Sequence, residues 1–361
     1  MNAMKNWPIW TVGVAALAGP ALGQAVELAD GALELYGKAH VSLDRSDADA
    51  SGESGQTGVS DNSSRIGFRG DHAINRGTTL LWQYEQNVSL TGGNANGAEF
   101  GTRNSFLGLA GSLGEVRVGH HDTPSKKLGS AWALFGDTVG DRRAIFGAYS
   151  GYGNVMNDRA DNAIQYANDF GPLAMKVMYS SSNKAKNTTD AGLDDNDHEL
   201  GSGSLIYADG PLVLGGAVEQ WSRDPESQSE QVDNVRLMAR YTGSRFGVGA
   251  IHESTSSDDG VYDRDALGVN GRFRLREETE VRAQYMEAGD HDDADDSGAR
   301  QLALGLFEQL DPDTEVYAVY SRTDNEDNAE YKGIDGGHGD EMSTDPGGSP
   351  NALSVGLVHR F

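Results

Sequence analysis

The segment Asn351–Phe361 constrains the fold more than any other part of the sequence. Side chains alternate between the two faces of an extended strand. One face here carries Leu353, Val355, Leu357, His359 and Phe361, and the other carries Ser354, Gly356 and Arg360, with Val358 as an apolar exception. Chain ends are usually frayed and solvated, so a strand in water seldom finishes on an aromatic residue. A strand that closes a barrel in lipid fits this pattern, because its outer face meets hydrocarbon and both of its edges are paired.

Composition excludes several classes of protein. The 361 residues include 29 Lys and Arg against 55 Asp and Glu, a formal net charge of -26, and no Cys. The absence of Cys rules out a disulfide framework and a thiolate metal site. The negative charge argues against nucleic acid as a partner, since phosphate binding requires clustered Lys and Arg. Beyond the amino terminus, no segment approaches the roughly 18–20 continuous apolar residues of a membrane helix. This criterion does not detect the strands of a membrane barrel, because they are apolar only at alternate positions.

Residues 1–23 are predicted to be a secretory signal peptide. Lys5 supplies the positive charge, Trp7–Leu22 is largely apolar, and small residues precede the expected cleavage site. Cleavage is expected after Gly23, with cleavage after Ala25 as the second choice. A membrane anchor is the alternative, and it is disfavoured because the apolar stretch is short and interrupted by Pro and Gly.

Residues 24–361 are predicted to form an all-β fold, a transmembrane antiparallel β-barrel. Extended segments alternate with short Gly/Asp/Pro turns and long Asp-rich loops. Short turns at one end and long loops at the other are typical of outer-membrane barrels, with the turns in the periplasm and the loops outside. The hairpin pattern gives 16 strands, with 14 or 18 as alternatives because such boundaries err by a few residues. The first predicted strands are 34–45, 63–73, 77–90, 102–111 and 115–120, with a polar loop over 46–62.

The faces of the predicted strands differ as a barrel in lipid requires. Leu80, Trp82 and Tyr84 form an apolar face opposite Gln83 and Glu85. A soluble sandwich would explain this alternation equally well. The signal peptide, the asymmetry of the connections and the terminal aromatic residue favour the barrel.

Several stretches of the chain resemble the Gram-negative general porins. They are Leu35–Gly37, Ser63–Gly70, Arg103–Gly111, Leu113–Gly119, Asp161–Tyr166 and the ending Val358–Phe361. In this order they are specific, and the resemblance covers most of residues 33–361. It implies a trimeric, water-filled channel of the outer membrane that passes ions and small hydrophilic solutes passively, surrounded by outer-membrane lipid and lipopolysaccharide. It also implies that the outer-membrane assembly machinery recognises Phe361.

One departure from the family follows Gly119, where the family usually has Arg and this sequence has His120 and His121. Imidazole is mostly neutral at pH 7, so the usual charge is in doubt at this position. A metal site formed by His120, His121 and Asp122 is the alternative. It is disfavoured because adjacent residues on a strand point to opposite faces, and no metal is predicted.

A general porin sorts solutes at a constriction, where fixed charges of opposite sign face each other across the pore. Loop three, predicted at 121–159, is the longest connection and is expected to fold into the pore. The predicted basic side comprises Lys38, Arg65, Arg69, Arg103 and Arg117. The predicted acidic side comprises Asp122, Asp137 and Asp141. For each of these residues, an ordinary solvated barrel lining is the alternative.

Other functions remain as alternatives. A solute-selective channel would use Trp132, Tyr149 and Tyr152 as a binding track and would show saturable block. An enzyme would need a nucleophile with a base, and no motif arranges one, so no catalytic residue or cofactor is predicted. Acidic runs such as Asp292–Asp296 are interpreted as solvated outer surface, with calcium binding as the alternative. The sequence leaves the preference between anions and cations open.

Overall fold

The computed structural model describes residues 26–28, 33–52, 54–92, 101–150, 153–181, 198–223, 231–258, 260–291 and 294–361. The predicted signal peptide lies outside these ranges, as do Tyr152 and the first two residues of the acidic run Asp292–Asp296.

Sixteen antiparallel strands form a closed barrel. They are β1 (Leu33–Asp47), β2 (two segments, Gln56–Asp61 and Arg65–Asn75), β3 (Thr78–Asn87), β4 (Ser105–Gly111), β5 (Gly114–Asp122), β6 (Arg159–Phe170), β7 (Leu173–Ser180), β8 (His198–Asp209), β9 (Leu212–Arg223), β10 (Gln231–Thr242), β11 (Phe246–Ser257), β12 (Arg264–Arg274), β13 (Thr279–Ala288), β14 (Ala299–Asp311), β15 (Thr314–Asn325) and β16 (Asn351–Arg360). The sheet has 18 strand segments, because β2 contributes two and the short strand Val26–Leu28 pairs with the start of β1. The predicted strand number is confirmed.

The last strand closes the barrel as the sequence predicts. β16 pairs with β15 on one edge and with β1 on the other, in register from Lys38–Arg360 to Asp47–Asn351. Both edges of this strand are therefore hydrogen-bonded, as a strand in hydrocarbon requires.

Phe361 extends this closure by one residue. Its carbonyl accepts a hydrogen bond from the Gly37 amide at 2.7 Å, and its own amide donates to the Gly37 carbonyl at 3.2 Å. The aromatic ring occupies the space where a Cβ on residue 37 would lie, so only Gly fits beneath it. The outward-facing His359 is hydrogen-bonded to Thr314 at 2.9 Å and stacks on Phe361, which satisfies a polar group on an otherwise apolar face.

The prediction of a continuous loop over 46–62 is wrong. β1 runs to Asp47, and Gln56–Asp61 pairs with it from Val41–Asp61 to Ser46–Gln56. This segment is rich in Gly, Ser and Thr and lacks a regular apolar alternation. Its conformation is therefore set by the ladder with β1 rather than by a pattern within the segment.

The connections are short at one end of the barrel and long at the other, as predicted. Two to four residues join β2 to β3, β4 to β5, β6 to β7, β8 to β9, β10 to β11, β12 to β13 and β14 to β15. The end that carries these connections is called the short-turn end. The longest connections are loop three, here residues 123–158, and loop eight, residues 326–350.

The two faces of the wall separate apolar from polar side chains. Outward-facing residues such as Leu237, Leu267, Leu304 and Val355 are exposed, whereas their inward-facing neighbours are mostly buried. The outer surface is consequently a continuous apolar band, as a lipid-facing wall needs.

Loop three contains the single α-helix of the described residues, α1 (Pro124–Trp132), and a 3₁₀ turn at Arg142–Ala144. The Thr123 side chain caps the helix by accepting a hydrogen bond from the Lys126 amide at 3.1 Å, and Pro124 occupies its first turn. A two-stranded ribbon pairs Ala148–Tyr149 with Gly153–Asn154. Across the described ranges, every helix is too short or too polar to span a membrane.

Candidate pore constriction

Loop three is seated on glycines of the inner wall. A Cβ at Gly215 would collide with Leu128, one at Gly268 would lie 2.8 Å from the Trp132 ring, and one at Gly305 would lie 3.0 Å from Phe135. Each of these three loop side chains is fully buried. The glycines therefore form a groove in the wall that receives the apolar side of the loop.

Inward-facing polar side chains bind the loop backbone along the same path. Arg240 donates to the Ala131 carbonyl at 2.6 Å, Asn270 to the Trp132 carbonyl at 2.7 Å, and Gln284 to the Gly140 carbonyl at 3.0 Å. These bonds satisfy carbonyl groups that lack backbone partners, two at the carboxyl end of α1 and one in the irregular segment that follows. They fix the loop across strands β10, β12 and β13.

Glu253 on β11 is the centre of a buried ionic cluster that ties the loop to the wall. Its carboxylate accepts from Arg236 at 2.6 Å, from Arg264 at 3.2 Å and from the Gly147 amide at 2.8 Å. The side chains of Glu253 and both arginines are 0% exposed. Arg264 donates further to the carbonyls of Ile145 and Ala148. One carboxylate thereby organises two guanidinium groups and the loop backbone.

Asp122 stands at the end of β5, where loop three begins. It pairs with Lys126 at 2.9 Å, Lys127 at 3.0 Å and Arg159 at 3.2 Å. This acid is surrounded by three cations, so its negative charge is locally outweighed.

Asp137 connects loop three to the predicted basic wall. Its carboxylate lies 2.7 Å from Lys38 on β1 and 2.8 Å from Arg143. Asp141 pairs with the same Arg143 at 2.8 Å and accepts a hydrogen bond from the Asp137 amide. Burial opposes ionisation of Asp137, but attraction to Lys38, Arg143 and Arg65 outweighs it and holds the pKa of Asp137 well below its usual value. The carboxylate therefore remains charged at neutral pH.

The remaining predicted basic residues lie on the inner wall at different heights. Arg65 is directly opposite Lys38 in the ladder between β1 and β2. Arg69 lies four residues nearer the short-turn end, roughly 14 Å along the strand, where it is paired with Glu34 and covers the Tyr36 ring.

Arg103 and Arg117 are both paired with acids of their own wall. Arg103 binds Glu85 at 2.5 Å, and Arg117 is paired with Glu115 while lying 4.2 Å over the Phe106 ring. The structure therefore brings Lys38 and Arg65 to the loop acids and holds Arg103 and Arg117 in wall ion pairs.

Sequence reasoning missed the contacts that loop eight makes with loop three and with the first strands of the barrel. Ile334 and Met342 share an apolar cluster with Phe135 and Val139 of loop three. The fully buried His338 side chain lies 3.2 Å from Asp44 on β1. The residues beside His338 accept hydrogen bonds from two serines: Ser63 donates to the Gly337 carbonyl and Ser60 donates to the Asp340 carboxylate. The acidic, glycine-rich composition of 325–350 is typical of an exposed loop and gave no signal for these contacts.

Two predicted alternatives can be placed in the structure. Trp132 and Tyr149 are buried against the wall, so neither presents an exposed ring to a passing solute. His120 is paired with Asp161 at 2.6 Å, whereas His121 stacks on Phe106. Within the described part of the chain, no group of three or more His, Asp or Glu side chains could hold a metal ion.

A closed barrel with an apolar exterior and a charged interior defines a channel protein of the outer membrane. Residues 10–328 match the family model described as "Gram-negative porin". The chain belongs to this family. It is a multi-pass outer-membrane protein and a passive channel, and the family is one of channels rather than enzymes.

Known relatives extend this assignment over nearly the whole chain. Outer membrane protein U of Vibrio vulnificus is 30% identical, with 70% of this chain and 69% of the relative covered. Outer membrane porin protein 32 of Delftia acidovorans is 26% identical, with 97% and 98% covered. The solved anion-selective porin from Comamonas acidovorans shares the fold with a TM-score of 0.74 at 24% identity, covering 91% of this chain and 99% of that one.

Proposed function

We propose that this protein is a general diffusion porin whose narrowest passage is formed by loop three and prefers small anions. The contacts of loop three with inward-facing side chains on β1, β10, β12 and β13 support its position inside the pore. The buried state of Trp132 and Tyr149 favours general diffusion over a saturable aromatic track.

The balance of charge around Asp122, Asp137 and Asp141 carries the anion preference. These three acids are engaged by five cations, namely Lys38, Lys126, Lys127, Arg143 and Arg159. Arg65 adds a further positive charge directly opposite Lys38. A permeating ion responds most strongly to the charges nearest to it. The excess of positive charge at the passage therefore outweighs the acidic character of the chain as a whole.

Replacing Arg65 with glutamine is expected to shift the channel toward cations. One unit charge a few ångströms from the ion path is worth about 1 kcal/mol in a water-filled site, so the anion-to-cation permeability ratio should fall about fivefold. The measurement is the reversal potential of single channels in a potassium chloride gradient.

Arg69→Gln is the matched control, since it removes the same charge from the same strand but at the site paired with Glu34. A reversal potential equal in wild type and Arg65→Gln would refute the assignment of Arg65 to the passage. A cation-selective wild type would refute the proposed anion preference itself.

We further propose that the protein assembles as a homotrimer among outer-membrane lipid and lipopolysaccharide, after export with residues 1–23 as the signal peptide. The family resemblance supports the trimer. The apolar outer band supports contact with lipid and with neighbouring copies.

Deleting Phe361 is expected to reduce the amount of folded protein in the outer membrane several-fold, while the few assembled channels keep their conductance. The deletion removes both backbone hydrogen bonds to Gly37 and the ring that covers it, and we propose that the assembly machinery recognises this residue. Membrane fractions would be compared by heat-modified gel mobility. Leu353→Ala, an outward change on the same strand, is the control, and normal assembly of the deletion variant would contradict the role.

A further inference from the structure

A second basic region lies beneath loop three, at the short-turn end of the barrel. We propose that it binds small organic dianions, such as dicarboxylates and phosphate esters, before or after they cross the constriction. This inference rests on the proposed anion-preferring pore and adds a discrete binding site to it.

The region is a half-open cavity of about 330 Å³ bordered by wall and loop. This volume falls at the lower end of the roughly 300–1,000 Å³ found for small-molecule sites. Its principal charged residues, from strands β10, β12, β13 and β15, are Arg240, Arg272, Arg274, Arg282, Glu280 and Glu315. Ala133 and Leu134 of loop three also line it, so the site adjoins the constriction directly.

Guanidinium groups lie close together in this cavity, and their mutual repulsion lowers the stability of the fold. Arg272 and Arg282 are direct partners in the ladder between β12 and β13, and like charges in that relation repel. Glu280 offsets part of this repulsion, with Arg272 at 2.6 Å and Arg282 at 3.3 Å, and Arg274 approaches the same carboxylate at 3.4 Å. Three guanidinium groups therefore share one carboxylate.

The basic side chains of β12 and β13 outnumber the inward carboxylates that they contact. Arg282 also binds Glu315 at 2.9 Å, so the three guanidinium groups of these two strands meet two inward carboxylates. Glu277 and Glu278 line the rim from an exposed turn, where water and salt screen them. The Arg274 Nε atom is buried without a hydrogen-bond acceptor among the described residues. Buried donors of this kind are normally satisfied, and an anionic ligand supplies the missing acceptors.

The shape of the cavity favours an organic anion with two charged groups. Gly247 lies on β11, between the strands of Arg240 and Arg272, and a Cβ there would lie 3.0 Å from Arg272 Nε. Because Gly247 has no side chain, the space between Arg240 and Arg272 stays free for a single ligand that contacts both. Phe307 lies 3.7 Å beneath the Arg282 guanidinium and gives the cavity an apolar wall with Leu134. Guanidinium groups on separate strands suit two carboxylates, and the apolar wall suits the carbon chain between them.

Succinate added to the short-turn side of single channels in planar bilayers tests the site. We expect a saturable, concentration-dependent decrease of the potassium chloride current, whereas propionate, with one carboxylate, should block at least tenfold more weakly. Arg272→Gln and Arg240→Gln should each weaken the succinate block about tenfold, since each removes one charge-assisted hydrogen-bonding group. Arg272→Lys, which keeps the charge but not the planar fork, should be intermediate.

Arg245→Gln is the matched control, because Arg245 is exposed in a turn at the same end and packs over Phe273 outside the cavity. Equal block of wild type, Arg272→Gln and Arg240→Gln would overturn the site, as would equal block by succinate and propionate. The reversal potential measured in potassium chloride, without succinate, tests the proposed anion preference separately. A wrong anion preference can therefore be distinguished from the absence of the dianion site.

Discussion

Replacing Glu253 with alanine is expected to release loop three from the wall and to make the channel noisy and wider. The substitution leaves Arg236 and Arg264 buried without their shared carboxylate and removes the acceptor of the Gly147 amide. Removing one partner of a buried ion pair costs about 3–5 kcal/mol. That cost falls on loop docking, since the ladders of β11 with β10 and β12 do not involve the side chain.

The measurement pairs single-channel recording with limited trypsin digestion. Open-channel noise and mean conductance should both increase, and cleavage after Arg142 and Arg143 should become faster. Glu253→Gln retains acceptor oxygen without charge and should lie between wild type and alanine. Glu287→Ala on β13 is the control, because Glu287 is 45% exposed and forms a weak pair with Arg300 at 3.6 Å. Quiet currents and slow cleavage in Glu253→Ala would show that the cluster does not hold the loop.

Trp132→Ala is expected to loosen the same loop through lost packing rather than lost charge. The indole is fully buried, meets Phe146 edge-on with ring centroids 5.5 Å apart, and fills the groove left by Gly249 and Gly268. Truncating a buried Trp costs about 3–5 kcal/mol, partly through the cavity that remains. Increased current noise would report the loosening.

A substitution on the wall side tests whether the Trp132 ring packs directly against the glycine groove. A Cβ at residue 268 would lie 2.8 Å from the indole and 2.9 Å from Phe146, so Gly268→Val should disturb the loop through overpacking. Its effect should be smaller in a Trp132→Ala background, and the difference measures the coupling. Gly201→Ala is the control, because nothing lies within 4 Å of that Cβ. Strictly additive effects would contradict the contact.

The strand pattern could be predicted from the sequence because its cause is local. Period-two alternation decides which side of each strand meets lipid, and it predicts the inward side observed for Lys38 and Arg65 and the outward side observed for Leu353. The same reasoning failed at Gln56–Asp61, where polar and small residues give no alternation. The extended conformation of this segment is set by its hydrogen-bonded ladder with β1 and not by its own residue pattern.

The partners of the inward charges could not be predicted. Lys38 meets Asp137 at a separation of 99 residues, and Gly147 meets Glu253 at a separation of 106. These contacts depend on the path of loop three. That path depends in turn on which wall glycines leave space for the side chains of the loop. With 48 Gly in the chain, nothing local distinguishes Gly268 under an indole from Gly201 with open space beside it.

The sequence by itself determined the inner and outer faces of the strands and the short turns between them, because alternation and turn chemistry act between neighbouring residues. Together with the family resemblance, these local patterns predicted a barrel of 16 strands that closes from β1 to β16. Only the tertiary structure decided which charges neutralise each other, which wall residues loops three and eight contact, and where positive charge accumulates. Electrostatic pairing and side-chain packing act through space between segments far apart in the chain, so their outcome exists only once the barrel has closed.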